Sequence, residues 1–109
     1  MAMNVRPKAH YEARARVAKA LAHGSRLLMM DALAQGELCV QDLTKLVGSD
    51  QSTVSRHLGV LRNAGLVEMR KERTLAFYRI KVPCLEGFWG CIETVLSKTL
   101  NDQKKALEA

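Results

Sequence analysis

Hydrophobic positions along this chain keep a helical spacing for most of its length and switch to alternation once. In residues 8–22, KAHYEARARVAKALA, the positions Ala13, Val17, Ala20 and Leu21 share one face. Arg14, Arg16 and Lys19 take the water side, and Pro7 stands where a helix opens. HGSRLLMMDALAQGE repeats the pattern through Leu28, Ala32 and Leu33, with Ser25 as the expected cap and Gly36 as the stop. A short third helix follows in CVQDLTKLVGS, with Val40, Leu43 and Val47 inward and Gly48 at its end. The fourth takes Ser49 or Asp50 as its cap and runs to Ala64, beyond which Gly65 suits a left-handed C-terminal cap.

After Gly65 the period changes. LVEMRKERTLAFYRI alternates at Val67 and Met69 and again at Leu75, Phe77 and Arg79, with the charged run 70–73 between them. That pattern predicts a β-hairpin with a basic tip. Pro83 ends the second strand and opens a last helix over about 84–100, whose apolar stripe is Leu85, Phe88, Ile92, Val95 and Thr99. The predicted order is ααααββα: a mostly α fold with a β-hairpin wing, in a single domain over 1–109. The third and fourth helices are joined by about three residues around Gly48, the spacing of a helix-turn-helix over about 40–64. The wing occupies about 66–80.

Composition narrows the partners of such a fold. Apolar residues make up 48% of the chain, ordinary for a globular protein. No run of eighteen apolar residues is present, and MAMNVRPKAH lacks the apolar core of a secretion signal, so a cytoplasmic location is expected with no membrane association. Three widely spaced cysteines, Cys39, Cys84 and Cys91, do not form a disulfide framework in that setting. The net charge of +6 is unevenly spread. Residues 1–26 set six Lys/Arg against Glu12, and residues 51–80 set six against Glu68 and Glu72, whereas residues 27–50 are acidic. Two basic blocks favour a polyanion partner over a merely solvated surface once their position is considered.

That position is the fourth helix. At ~100° per residue, Val54, Leu58, Leu61 and Gly65 converge on one arc, while Ser52, Arg56, Gly59 and Asn63 point away, flanked by Gln51, Ser55 and Arg62. Short polar side chains do little for an exposed helix. They suit a helix that must approach another surface closely. The second helix of a helix-turn-helix offers its N-terminal residues to the DNA major groove. There Gln can read adenine, Arg can read guanine, and Ser can pair with either. Arg70, Lys71 and Arg73 on the hairpin would contact backbone or minor groove beside it. Had Gln51 to Arg56 been only a solvated helix start, a short preceding helix, a glycine turn and a basic hairpin would not be expected in this order.

QSTVSRHLGVLRNAGLV, with LAHGSRLLMMDALAQGELCV upstream and YRI closing the hairpin, resembles the ArsR/SmtB winged-helix repressors over roughly residues 14–97. The resemblance implies a homodimer built on the first and last helices, bound to double-stranded DNA at an imperfect palindromic operator and released by an inducer. It carries base or phosphate contact over to Gln51, Ser52, Ser55 and Arg56, and to His57, whose place beside the apolar arc favours packing or a hydrogen bond. Dimerisation also follows from the chain, because the first helix and the Phe88/Trp89 end of the last are more apolar than a small core can cover.

The inducer is less legible. Arsenite- and cadmium-sensing members carry a string like ELCVCDLC at the start of the third helix. This chain reads ELCVQDLT, keeping Cys39 but replacing the other thiols by Gln41 and Thr44. The zinc-sensing arrangement needs histidine on the last helix, which offers Glu86 and Glu93 only. Cys84 and Cys91 are seven residues apart, ~10 Å along a helix axis, too far for one ion or one disulfide on a regular helix. A site would need Cys84 on bent backbone before the helix or a cysteine from a second subunit. Three readings stand: structural cysteines on the apolar stripe, a soft-metalloid site for As(III) drawing on Cys39, Cys84 and Cys91, or a thiol redox or reactive-sulfur switch. No cofactor is required in any of them. Outside the repressor class, a winged-helix protein-interaction module would want an apolar or acidic outer face on the fourth helix. A thiol enzyme using Cys39 would want a nearby base and a phosphate loop, which this sequence does not supply.

Overall fold

The computed structural model describes residues 3–108. Its elements run α1 (Lys8–Leu21), α2 (Gly24–Ala34), β1 (Leu38–Cys39), α3 (Val40–Val47), α4 (Gln51–Asn63), β2 (Val67–Glu72), β3 (Leu75–Ile80) and α5 (Leu85–Glu108). The strands form one antiparallel sheet in the order β1-β3-β2. This is a winged helix-turn-helix, mostly helical with a hairpin wing.

One strand is absent from the sequence reading. β1 is two residues long, too short to alternate, and exists only because Leu38 and Cys39 pair with Tyr78 and Phe77, distant in the chain. The sheet it completes anchors the wing to the body.

Helix ends follow local chemistry. Asp50 caps α4, its Oδ1 accepting from the Thr53 N–H at 2.7 Å. The hydrogen bonds from Thr53 hold the Asp50 carboxyl below the usual carboxylate range. Gly48 ends α3 at φ 77°, and Gly65 follows α4 at φ 82°, both conformations that favour glycine. For α2 the cap is His23 and not Ser25: the imidazole Nδ1 accepts from the Ser25 N–H at 3.2 Å. The last helix continues well past residue 100, because NDQKKALE offers helix formers and no Gly or Pro to stop it.

The core lies where α2, α3, α4 and the root of the hairpin meet. Met29, Met30, Leu43, Val54, Leu58, Leu61 and Val67 are wholly or almost wholly buried. Two of the sequence-derived phases shift here. In α2, where LLMM is apolar all round, Met29, Met30 and Leu33 turn inward and Leu28 stays exposed. In β3 the inward set is Ala76, Tyr78 and Ile80, opposite Lys71, Met69 and Val67, so the alternation holds but on the other parity from Phe77. Tyr78 is buried whereas Leu75 is exposed.

α5 is different in kind. Only Leu85 and Trp89 reach the core, and no residue of the helix is buried. Of the predicted stripe, Leu85 packs inward while Phe88, Ile92, Val95 and Thr99 are exposed, and the nearby Leu96 and Leu100 are exposed with them. With Leu21 and Leu27, Phe88, Ile92 and Leu96 border a groove of about 340 Å³ between α1, α2 and α5. None of the described helices is long and apolar enough to cross a membrane.

Candidate nucleic-acid interface

Three residues, Gly48 to Asp50, separate α3 from α4, and the left-handed Gly48 turns the chain sharply enough to set the two helices across each other. Val54, Leu58 and Leu61 fasten α4 from behind with no exposure at all. The opposite side is open: Gln51, Ser52, Ser55 and Arg56 are all exposed, and none of them makes a side-chain hydrogen bond or ion pair among the described residues. Polar groups left free on a rigidly seated helix can pair with an external partner without first giving up an internal one.

His57 behaves otherwise. It is half-buried, and its Nδ1 lies 3.0 Å from Arg26 Nη1, so the imidazole accepts and is neutral in this contact. Burial first, then the neighbouring His23, Arg26 and Arg56, hold its pKa below the ordinary value of 6.5. The His23 ring is 4.3 Å away, centre to centre. Arg26 also donates through Nε to the Ala20 carbonyl at 2.6 Å and through Nη2 to that of Lys19 at 3.3 Å. One guanidinium therefore joins the end of α1, the start of α2 and the flank of α4. Nothing in the sequence spacing pointed to Arg26. Its role depends on helices that meet only in three dimensions.

The hairpin places the other predicted contacts. Lys71 and Arg73 are exposed at its far end, and Arg73 adopts φ 58° in the two-residue turn between β2 and β3. That left-handed backbone would be easier for glycine, so a bulky cation at this corner carries a conformational cost. Arg70 is already engaged, in ion pairs with Glu37 and Glu72.

The three cysteines are scattered. Cys39 is buried at the start of α3, where its thiol donates to Asp42 Oδ2 at 3.2 Å instead of capping the helix. Cys84 stands one residue before α5 and Cys91 within it, both exposed and both free. They are thus not core residues of this protomer. Among the described residues no three His, Cys, Asp or Glu side chains come together as a metal site. The residues of one protomer do not fit a closed As(III), Cd(II) or Zn(II) site.

With this geometry in view, comparison with known proteins is informative. A model of the bacterial regulatory proteins of the arsR family matches residues 23–69, from the α2 cap to the middle of the first wing strand. The HTH-type transcriptional regulator Rv0081 of Mycobacterium tuberculosis is 32% identical over 99 residues, covering 90% of this chain and 87% of that protein. The chain belongs to the arsR family.

A second relative of this arsR-family chain, Rv0324 of the same organism, is 40% identical over 88 residues. The match covers 81% of this chain but 39% of Rv0324, so the chain spans well under half of that relative's length. Among solved structures, a winged helix-turn-helix fragment from Mycobacterium bovis superposes with a TM-score of 0.73 at 37% identity, covering 94% of this chain and 95% of that one. These relatives are transcriptional regulators, a non-catalytic class, and the thiol-enzyme reading of Cys39 is set aside.

Proposed function

We propose that the chain is a sequence-specific, DNA-binding transcriptional repressor acting as a homodimer. The observation that carries this is the two-sidedness of α4. Three fully buried aliphatic residues fix it, and four unpaired polar residues, Gln51, Ser52, Ser55 and Arg56, line its outer N-terminal half. In this reading those four supply base and phosphate contacts in the major groove, while Lys71 and Arg73 add salt-dependent affinity from the wing. His57 supports α4 from the side through Arg26 instead of reaching DNA.

The dimer rests on α5. A stripe of exposed Phe, Ile, Val and Leu running along a helix of roughly 36 Å is more apolar surface than a small monomer usually leaves in water. Burying each such side chain stabilises association by about 1.5–3 kcal/mol before the costs of ordering. The Mycobacterium bovis fragment with which this chain superposes is described as homodimeric. A two-fold pairing would present two copies of α4 about one helical turn apart on an imperfect palindrome.

For the effector, we infer a thiol-directed signal read by the exposed Cys84 and Cys91, arsenite or another thiophilic species among the candidates. Their exposure at the start of and within the helix that carries the uncovered stripe supports this, since a ligand bridging to a second copy would act on the dimer itself. A reactive-sulfur or oxidant signal at the same thiols is the second reading. Binding-site selection from random duplex DNA, followed by gel shifts with arsenite, Cd(II), Zn(II) and an oxidant in turn, tests both levels. Enrichment of a palindrome supports the repressor reading. Release by arsenite that a Cys84→Ser/Cys91→Ser variant abolishes supports the metalloid, and release by none of the four argues against thiol sensing.

A further inference from the structure

Counted along the sequence, the tip of the hairpin offers three cations, Arg70, Lys71 and Arg73. The register divides them. Glu68, Arg70, Glu72, Phe77 and Arg79 share one face of the hairpin, while Met69, Lys71 and Tyr78 share the other. The second face is the one turned toward α4: Met69 packs on the core, and its sulfur is 4.0 Å from Arg62 Nη1 of that helix. Arg70 lies on the far side.

There its guanidinium is committed along both edges. Nε stands 3.1 and 3.0 Å from the two carboxylate oxygens of Glu37, and Nη2 donates to Glu37 Oε1 at 2.6 Å. Nη1 donates to Glu72 Oε2 at 2.8 Å. The group also lies over the Phe77 ring, 4.7 Å from its centre. Hydrogen bonding to Glu37, then to Glu72, raises the Arg70 pKa, and the same bond to Arg70 lowers that of Glu37. A phosphate recognised bidentately needs one of those two edges. It would also meet an unfavourable field, because two carboxylates surround one cation and the adjacent Glu68–Arg79 pair adds no net charge. Glu37 sits in the turn before β1, on the body of the domain, so its grip spans from body to wing.

We propose that Arg70 is a strut of the wing and not a DNA contact, with Glu37 the positioning residue that ties the hairpin to the body and presents Lys71 and Arg73. This rests on the DNA-binding reading above. The three cations near the hairpin tip therefore differ in what their loss does to salt dependence.

The test is fluorescence anisotropy of a duplex recovered by selection, titrated between about 50 and about 200 mM salt, for the full chain and its variants. Lys71→Gln reduces the slope of log affinity against log salt by about 0.9 for each phosphate contact removed. Arg70→Gln leaves the slope unchanged and weakens binding about threefold or more at every salt concentration. Glu37→Gln does the same, and the double variant is no weaker than either single one, as expected for two residues acting through one contact. Both side chains are on the surface, so helix content and melting serve as checks that the variants fold. A flattened slope for Arg70→Gln, like that for Lys71→Gln, overturns the strut. So do single losses that multiply in the double variant. Absence of salt-dependent binding by the unaltered protein would instead overturn the DNA-binding reading, and the strut with it.

Discussion

At the scale of single residues, side chains that look alike in the sequence do different work. Arg56 is free and aimed outward from a rigid helix, so Arg56→Ala should cost ~1–3 kcal/mol on the cognate duplex and relax choice at one base pair. Lys71→Ala should weaken cognate and random duplexes by similar factors. Competition titrations on both DNAs check this, and equal losses on both for Arg56→Ala would contradict it. His57 titrates differently again. Its folded pKa is depressed, so the unfolded chain takes up the proton first. Its contribution to stability is full above the ordinary histidine pKa and is lost as the pH falls through that value toward the folded one. Glutamine at this position can accept from Arg26 without titrating. Melting curves from about pH 7.5 to about pH 5 should therefore fall further for the unaltered chain than for His57→Gln. Parallel falls would show that the Arg26–His57 contact is not what titrates.

Among the elements, α4 is held by three side chains with no exposure, Val54, Leu58 and Leu61. Leu58 is fully buried between α2, α3 and the hairpin root, so Leu58→Ala should destabilise by about 2–5 kcal/mol, read by denaturant unfolding, and should abolish DNA binding through unfolding rather than lost contact. A loss under about 1 kcal/mol would mean that the helix is seated less firmly than its burial implies. The helices and the hairpin were legible because each has its own periodicity and punctuation: Pro7 before α1, Gly48 and Asp50 around the turn, Gly65 after α4. What was not legible depended on partners far away in sequence. β1 is a strand only against β3. The inward parity of β3 was misread because Phe77 is the more hydrophobic-looking choice, yet it stacks under Arg70 on the outer face while Tyr78 takes the core. In α2, LLMM gave no preferred face for the sequence to declare. The exposure of the outer side of α4 was legible, since the helix is amphipathic and that side stands out by composition. Arg26, Glu37 and the exposure of Cys84 and Cys91 emerged only from the fold.

At the scale of the whole molecule, the fold leaves two surfaces open, and the proposed function rests on them. One face of α4 is polar and exposed, and an apolar stripe of α5 is uncovered. Charge substitutions on that helix, Ile92→Glu with Leu96→Glu, should yield a folded monomer by sedimentation and lose most affinity for a palindrome while retaining weak binding to a half-site. A dimer that persists would remove α5 from the interface. Entry of two copies of α4 into successive major grooves of one duplex can be read from a chemical footprint of the unaltered protein on its selected site. Two symmetric protected patches on the same face of the DNA, centred about 34 Å apart, are expected. A single patch, or protection without any preferred position, would contradict such entry.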